Sequence, residues 1–136
     1  LSEPNGRNTK QIQMSESQKT KRYDLEERTL KFAKKVRKFI EKLPKTVSNI
    51  EDGKQLIRSS GSIGANYIEA NEAVSKKDFI LRIKICRKES KESKYWLSLV
   101  DIGGNETLNK ECLDLAREST ELMVIFGSIM RNSSAV

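Results

Sequence analysis

No histidine occurs in this chain, and among its 136 residues there are only two prolines, seven glycines, two cysteines and one tryptophan. Histidine is the side chain best poised for general acid–base work near neutral pH, and the commonest metal ligand. Its absence excludes Ser-His-Asp and Cys-His nucleophilic sites, histidine-bearing zinc sites and the Glu-x-x-His pairs of di-metal bundles. No loop of the phosphate-cradling type with its lysine is present either. No apolar run approaches the ~18 residues that a membrane span needs. The N-terminus has no apolar signal core. The expectation is a cytoplasmic protein, neither membrane-bound nor an enzyme, and without a cofactor. Cys86 and Cys112 lie far apart, outside any CxxC spacing and at apolar helical positions. They read as buried, reduced thiols.

What is there is charge. Lys and Arg outnumber Asp and Glu by 26 to 19, for a net +7. The excess is uneven: +3 in each of the segments 1–22 and 23–44, −1 in 45–75, +4 in 76–102 and −2 in 103–136. A basic balance favours polyanionic partners such as nucleic acid, although it describes a surface and not a fold. Few prolines and glycines with a third of the residues charged fit a helical domain.

Residues 1–22 show no apolar periodicity and are predicted to be a disordered polar tail, with Met14 read as a natural start. The bundle is assigned to residues 23–133. Helix one is predicted over 23–43, stopping at Pro44, with the seam Thr29, Phe32, Val36, Phe39 and Leu43 widened by Leu25 and Ile40. Helix two is predicted over 49–74 behind a Ser48–Glu51 capping box. Its seam, Ile50, Gly53, Ile57, Ser60, Gly64, Tyr67, Asn71 and Val74, is small and partly polar. A second box, Ser75 with Asp78, opens helix three over 76–102, whose seam is Phe79, Ile83, Cys86, Ser90, Ser93, Leu97 and Val100. Gly103-Gly104 is predicted to end that helix, and Asn105 or Thr107 to cap the fourth, over 106–131. The fourth seam runs Leu108, Cys112, Leu115, Ser119, Leu122, Phe126 and Ile129. Four helices with short turns make an all-α, antiparallel up-down-up-down four-helix bundle.

Three constellations stand out. On helix two, Arg58, Ser62, Asn66 and Glu69 share a face; on helix three, Arg82, Glu89 and Glu92 share another. Folding the hairpin about Ser75 sets residue i near 151 − i, a rough register from antiparallel packing. Glu69 then faces Arg82, Ser62 faces Glu89, and Arg58 faces Glu92. The carboxylates could serve acid–base or metal chemistry. With a partner for every carboxylate, a polar network that locks helix register is the favoured reading. The run Ser59-Ser60-Gly61-Ser62-Ile63-Gly64-Ala65 keeps a helical period and reads as a surface for close helix packing. Finally, Lys31, Lys34, Lys35 and Lys38 share a face of helix one, and Lys77, Lys84, Lys88 and Lys91 a face of helix three. These rows are a candidate nucleic-acid footprint; a solvated face is the alternative. Tyr95-Trp96 could stack on bases, but packing is the commoner role of such a pair. The off-seam stripe Leu81, Ile85, Trp96 and Leu99 marks an interface for homo-oligomerisation.

The segments DLEERTLKFA (24–33), LPK (43–45), QLIRSSGSIGANYIEA (55–70), SKKDF (75–79) and KESKESKYWL (88–97) resemble the four-helix bundle proteins encoded in intervening sequences of bacterial 23S ribosomal RNA genes. The likeness covers about residues 23–129, and Arg58, Ser62, Asn66, Glu69, Glu92, Tyr95 and Trp96 match signature positions. It implies a left-handed bundle assembled as a cyclic homopentamer and associated with ribosomal RNA. A bundle similar in fold, the accessory variability protein of diversity-generating retroelements, is a basic pentamer that binds nucleic acid and a reverse transcriptase. Neither relative is an enzyme. The expected partners are therefore the chain itself and RNA or another nucleic acid. The alternative is a protein partner, such as a polymerase, served by a scaffold.

Overall fold

The computed structural model describes residues 16–134, with side chains from Asp24 onward. Of the polar tail predicted over residues 1–22, residues 1–15 lie outside the described residues, whereas 16–22 are not disordered but form the first turns of α1. Four helices make up the described part: α1 (Glu16–Glu41), α2 (Val47–Asn71), α3 (Lys76–Leu99) and α4 (Glu106–Ser134). Each packs antiparallel on its neighbour in sequence, and α4 closes the ring against α1. Among the described residues α1 and α3 make no backbone approach to each other, so they occupy diagonal corners. This is the expected antiparallel up-down-up-down bundle.

The core is filled by the seams of α1, α3 and α4 as the periodicity predicts. Phe32, Val36 and Phe39 from α1, Ile83, Cys86 and Leu97 from α3, and Leu115, Leu122 and Phe126 from α4 are all buried. Tyr67 reaches the centre from α2 and meets Phe126 at 5.6 Å between ring centroids, tilted by 57°, a favourable aromatic geometry. The predicted seam of α2 holds at Gly53, Ser60 and Tyr67 but shifts by one residue elsewhere, from Ile57 and Gly64 to Leu56 and Ile63. Its buried residues are Asn49, Gly53, Leu56, Ser59, Ser60, Ile63, Tyr67 and Ala70, while Ile50 and Val74 are exposed. Wedged between α1 and α3, α2 buries a broad face in which Ser and Gly carry no hydropathy signal.

Small residues let the helices close up. A methyl group added at Gly64 would meet Thr29 Oγ1 at 2.8 Å, and one at Gly53 would meet Ile40 Cγ2 at 3.4 Å. Buried hydroxyls are satisfied locally or across the seam. Ser90 donates to the Cys86 carbonyl and Ser119 to that of Leu115, and Ser59 and Ser93 share a 2.8 Å hydrogen bond between α2 and α3.

The ends are set by capping. Ser75 caps α3 by accepting the Asp78 N–H at 3.0 Å, and Asn105 accepts the Leu108 N–H at 2.9 Å. The Ser48 box is not formed: Thr46 is the N-cap of α2 and accepts the Asn49 N–H at 3.1 Å. Its extended backbone, two residues after Pro44, places the side-chain oxygen over the first turn. Helix α3 ends at Leu99, before the Gly pair; Gly103 and Gly104, with φ of 67° and 74°, form the turn into α4 instead. Asn49 ties two loops together at this end. Its amide donates to the Pro44 carbonyl at 2.9 Å and the Asp101 carbonyl at 2.8 Å, and its Oδ1 accepts the Asp101 N–H at 2.9 Å. No helix among the described residues is long and apolar enough to cross a membrane.

Candidate functional site

The α2–α3 hairpin brings the predicted polar residues to one seam. Arg58 is the hub. Its Nη2 donates to Glu92 Oε1 at 2.7 Å, and its Nη1 lies 3.6 Å from Glu89 Oε1. That second distance is an ion pair and too long for a hydrogen bond, which is why Glu89 Oε1 is buried without a hydrogen-bond partner. Further along, Arg82 donates to Asn66 Oδ1 at 3.0 Å, and the Asn66 amide donates to the Ser62 carbonyl and Oγ, both at 2.9 Å.

Two expected pairings are not made. Arg82 bonds Asn66 rather than Glu69, and Ser62 is taken by Asn66 rather than by Glu89. The register is nevertheless close to the one predicted, since Arg58–Glu92 and Ser59–Ser93 both bracket it. An arginine side chain spans more than a helical turn, so the register leaves its choice of partner open. Asn66, inward of the exposed Glu69, wins Arg82. Among the described residues no group of three or more His, Cys, Asp or Glu could hold a metal. The thiols are unsuited to nucleophilic work: burial pushes Cys86 up to about 12 and Cys112 above its ordinary value.

The lysine rows behave differently. All eight lysines are exposed, and none of them takes part in an ion pair or side-chain hydrogen bond among the described residues. Lys31, Lys34, Lys35 and Lys38 line an open groove of about 830 Å³ between α1 and α4, floored by Phe32 and Leu115. The opposite wall carries Glu111, Asp114, Glu118 and Glu121, and each of these already has a cation. Arg28 binds Glu118 at 2.7 Å and Glu121 at 2.8 Å, Lys42 binds Glu111 at 2.8 Å, and Lys110 and Arg117 hold Asp114 at 3.1 and 3.2 Å. The hydrogen bond from Lys110 keeps the Asp114 carboxyl below its usual range, and the one that Arg28 donates to Glu118 raises Arg28 further. With those carboxylates matched, the four lysines are a surplus. The sequence reading missed these α1–α4 pairs. Arg28 and Lys42 flank the α1 seam on one side and the α4 acids flank theirs, which is the pattern that could have shown them.

On α3, Lys77 and Lys84 rim a shallow apolar depression of about 580 Å³ with Lys76, Ile80 and Leu81, and Lys88 and Lys91 continue the row. The structure therefore keeps the two rows apart, because α1 and α3 sit on opposite corners. Of the aromatic pair, Tyr95 is exposed while Trp96 packs against the core, with ring centroids 5.1 Å apart. Leu81, Tyr95 and Leu99 remain exposed along α3.

Comparison with known proteins adds a family. The family model for the 23S rRNA-intervening sequence protein matches residues 21–125. A crystal structure of a protein of unknown function from the S23 ribosomal protein family, from Bacteroides thetaiotaomicron VPI-5482, is 31% identical. It aligns with a TM-score of 0.67 over 82% of this chain and 98% of that one. No curated protein matches the sequence.

Proposed function

Because the chain belongs to the 23S rRNA-intervening sequence protein family, we propose that it is a non-catalytic RNA-binding bundle that holds the phosphate backbone on its lysine rows. The observation that carries this reading is the charge surplus. Eight exposed lysines remain without a carboxylate, while the acids lining the α1–α4 groove are each tied to other cations. Phosphate neutralisation needs dense, solvated positive charge and no particular side-chain order. Recognition of this kind is tolerant of base sequence.

The reading extends to assembly as a homopentamer in the cytoplasm. Leu113 and Val124 are exposed on the outer face of α4, and exposed apolar positions of this kind mark interaction surfaces. The apolar strip of Leu81, Tyr95 and Leu99 on α3 is interleaved with Lys77, Lys84 and Lys88 and supports instead the second reading, a scaffold whose partner is another protein, such as a polymerase. Light scattering of the purified protein gives the subunit number. Titration of nucleic-acid-free protein with a structured RNA at low salt tests the main proposal: binding that falls steeply with salt supports it, and no binding removes it.

A further inference from the structure

Resting on that proposal, we infer that each bundle carries two independent polyanion sites and thereby joins two separate nucleic-acid segments. The argument is geometric. Helices α1 and α3 are diagonal in the ring, each packed on α2 and α4 and not on the other. Neighbouring helix axes lie ~8–10 Å apart, so the diagonal axes are roughly 12–14 Å apart. With a helix ~10–12 Å across including side chains, the outer faces of α1 and α3 stand roughly 20–25 Å from one another. That is two to three times the ~8 Å Debye length at physiological ionic strength. A phosphate held at one row therefore has little electrostatic interaction with the other.

The surface between the rows is mixed in charge. The helix between them on one side is α4, whose segment is net negative. Its outer face exposes Leu113 and Val124 and sets Lys110, Arg117 and Arg131 among Asp114 and Glu121, with Lys110 and Arg117 both engaged with Asp114. On the other side lies α2, where Arg58 is spent on Glu89 and Glu92. A strand crossing either helix would leave one lysine row and pass over carboxylates and apolar side chains interspersed with single cations before it reached the next. Two phosphate backbones, one per row, match this distribution better than one. Lys31, Lys34, Lys35 and Lys38 would grip the first in the α1–α4 groove, and Lys77, Lys84, Lys88 and Lys91 the second on α3.

The test is a stoichiometry read per chain, with short RNA duplexes labelled as donor and acceptor and added to the full-length protein. Wild type should bind two duplexes per chain and bring donor and acceptor into energy transfer. Changing Lys31, Lys34, Lys35 and Lys38 together to Gln should leave one duplex per chain, bound with an unchanged salt dependence per duplex. Changing Lys77, Lys84, Lys88 and Lys91 together to Gln should do the same, while the matching sets of Lys→Arg changes should retain two. One duplex per wild-type chain, or loss of all binding when either row alone is neutralised, would show a single composite surface and overturn the inference while leaving RNA binding intact. A wild type that binds no duplex overturns both this inference and the function it rests on.

Discussion

Replacing Gly64 with alanine probes how closely α1 and α2 approach. Alanine in a helix interior is favoured over glycine by ~1 kcal/mol, so the change stabilises wherever space allows. Here the new methyl would sit 2.8 Å from Thr29 Oγ1 and 3.2 Å from Thr29 Cβ. Thr29 has little room to yield: it is 1% exposed, and its hydroxyl donates to the Leu25 carbonyl at 2.8 Å. Overpacking of this kind costs ~1–3 kcal/mol, and losing the hydroxyl bond adds ~1 kcal/mol. The net expectation is a loss of about 1–3 kcal/mol, a fall in Tm of roughly 4–10 °C for a domain of this size. Gly61→Ala is the control, because its methyl would meet only the mobile end of Arg37 at 3.4 Å. That variant should gain up to ~1 kcal/mol. Urea unfolding followed by far-UV circular dichroism measures both. In the Thr29→Ala background the penalty of Gly64→Ala should shrink by ~1 kcal/mol, a coupling that a double-mutant cycle isolates. A Gly64→Ala protein as stable as wild type would refute the close approach.

Other perturbations follow from the same contacts. Asn49→Ala removes three hydrogen bonds joining the Pro44 and Asp101 loops and should cost about 2–3 kcal/mol in urea unfolding. Arg58→Met leaves the Glu89 carboxylate, 7% exposed, without its cation. Since Arg58 itself is half exposed, the loss should be about 1–2 kcal/mol, and Glu89→Gln in the same chain should restore part of it. Cys86 is held protonated up to about 12 against an ordinary 9.0, so the unfolded chain gives up this proton first as pH rises. Stability is therefore at its full value below about pH 9 and falls toward pH 12, a decline that Cys86→Ala should lessen. A thiol reagent should label the half-buried Cys112 before Cys86.

Much of the bundle is legible in the sequence because its physics is local. The α1 seam from Leu25 to Leu43 is apolar at nearly every inward position, so the 3.6-residue period fixes both helix and face. Ser75 and Asn105 declare their caps for the same reason. In α2 the inward positions include Gly53, Ser59 and Ser60, whose burial comes from tight packing rather than hydropathy. The apolar residues Ile50 and Ile57 lie one residue off the stripe through Leu56 and Ile63, so hydropathy there points beside the buried face that Gly53, Ser60 and Tyr67 share. The hairpin register survived because a short turn permits few alternatives. Partner choice within it did not, since the reach of Arg82 lets Asn66 replace Glu69. The lysine rows were visible helix by helix. Their separation depends on the closing of the ring by α1 and α4, which no single helix encodes.

The most direct test of the account is the salt dependence of RNA affinity for the purified, nucleic-acid-free protein. For each phosphate neutralised, log K falls against log salt with a slope of about −0.7 to −0.9. Four lysines engaged by one bound RNA predict a slope of about −3, and neutralising both rows should abolish binding without unfolding the bundle. An affinity that does not change with salt, or one that survives the loss of all eight lysines, would contradict it.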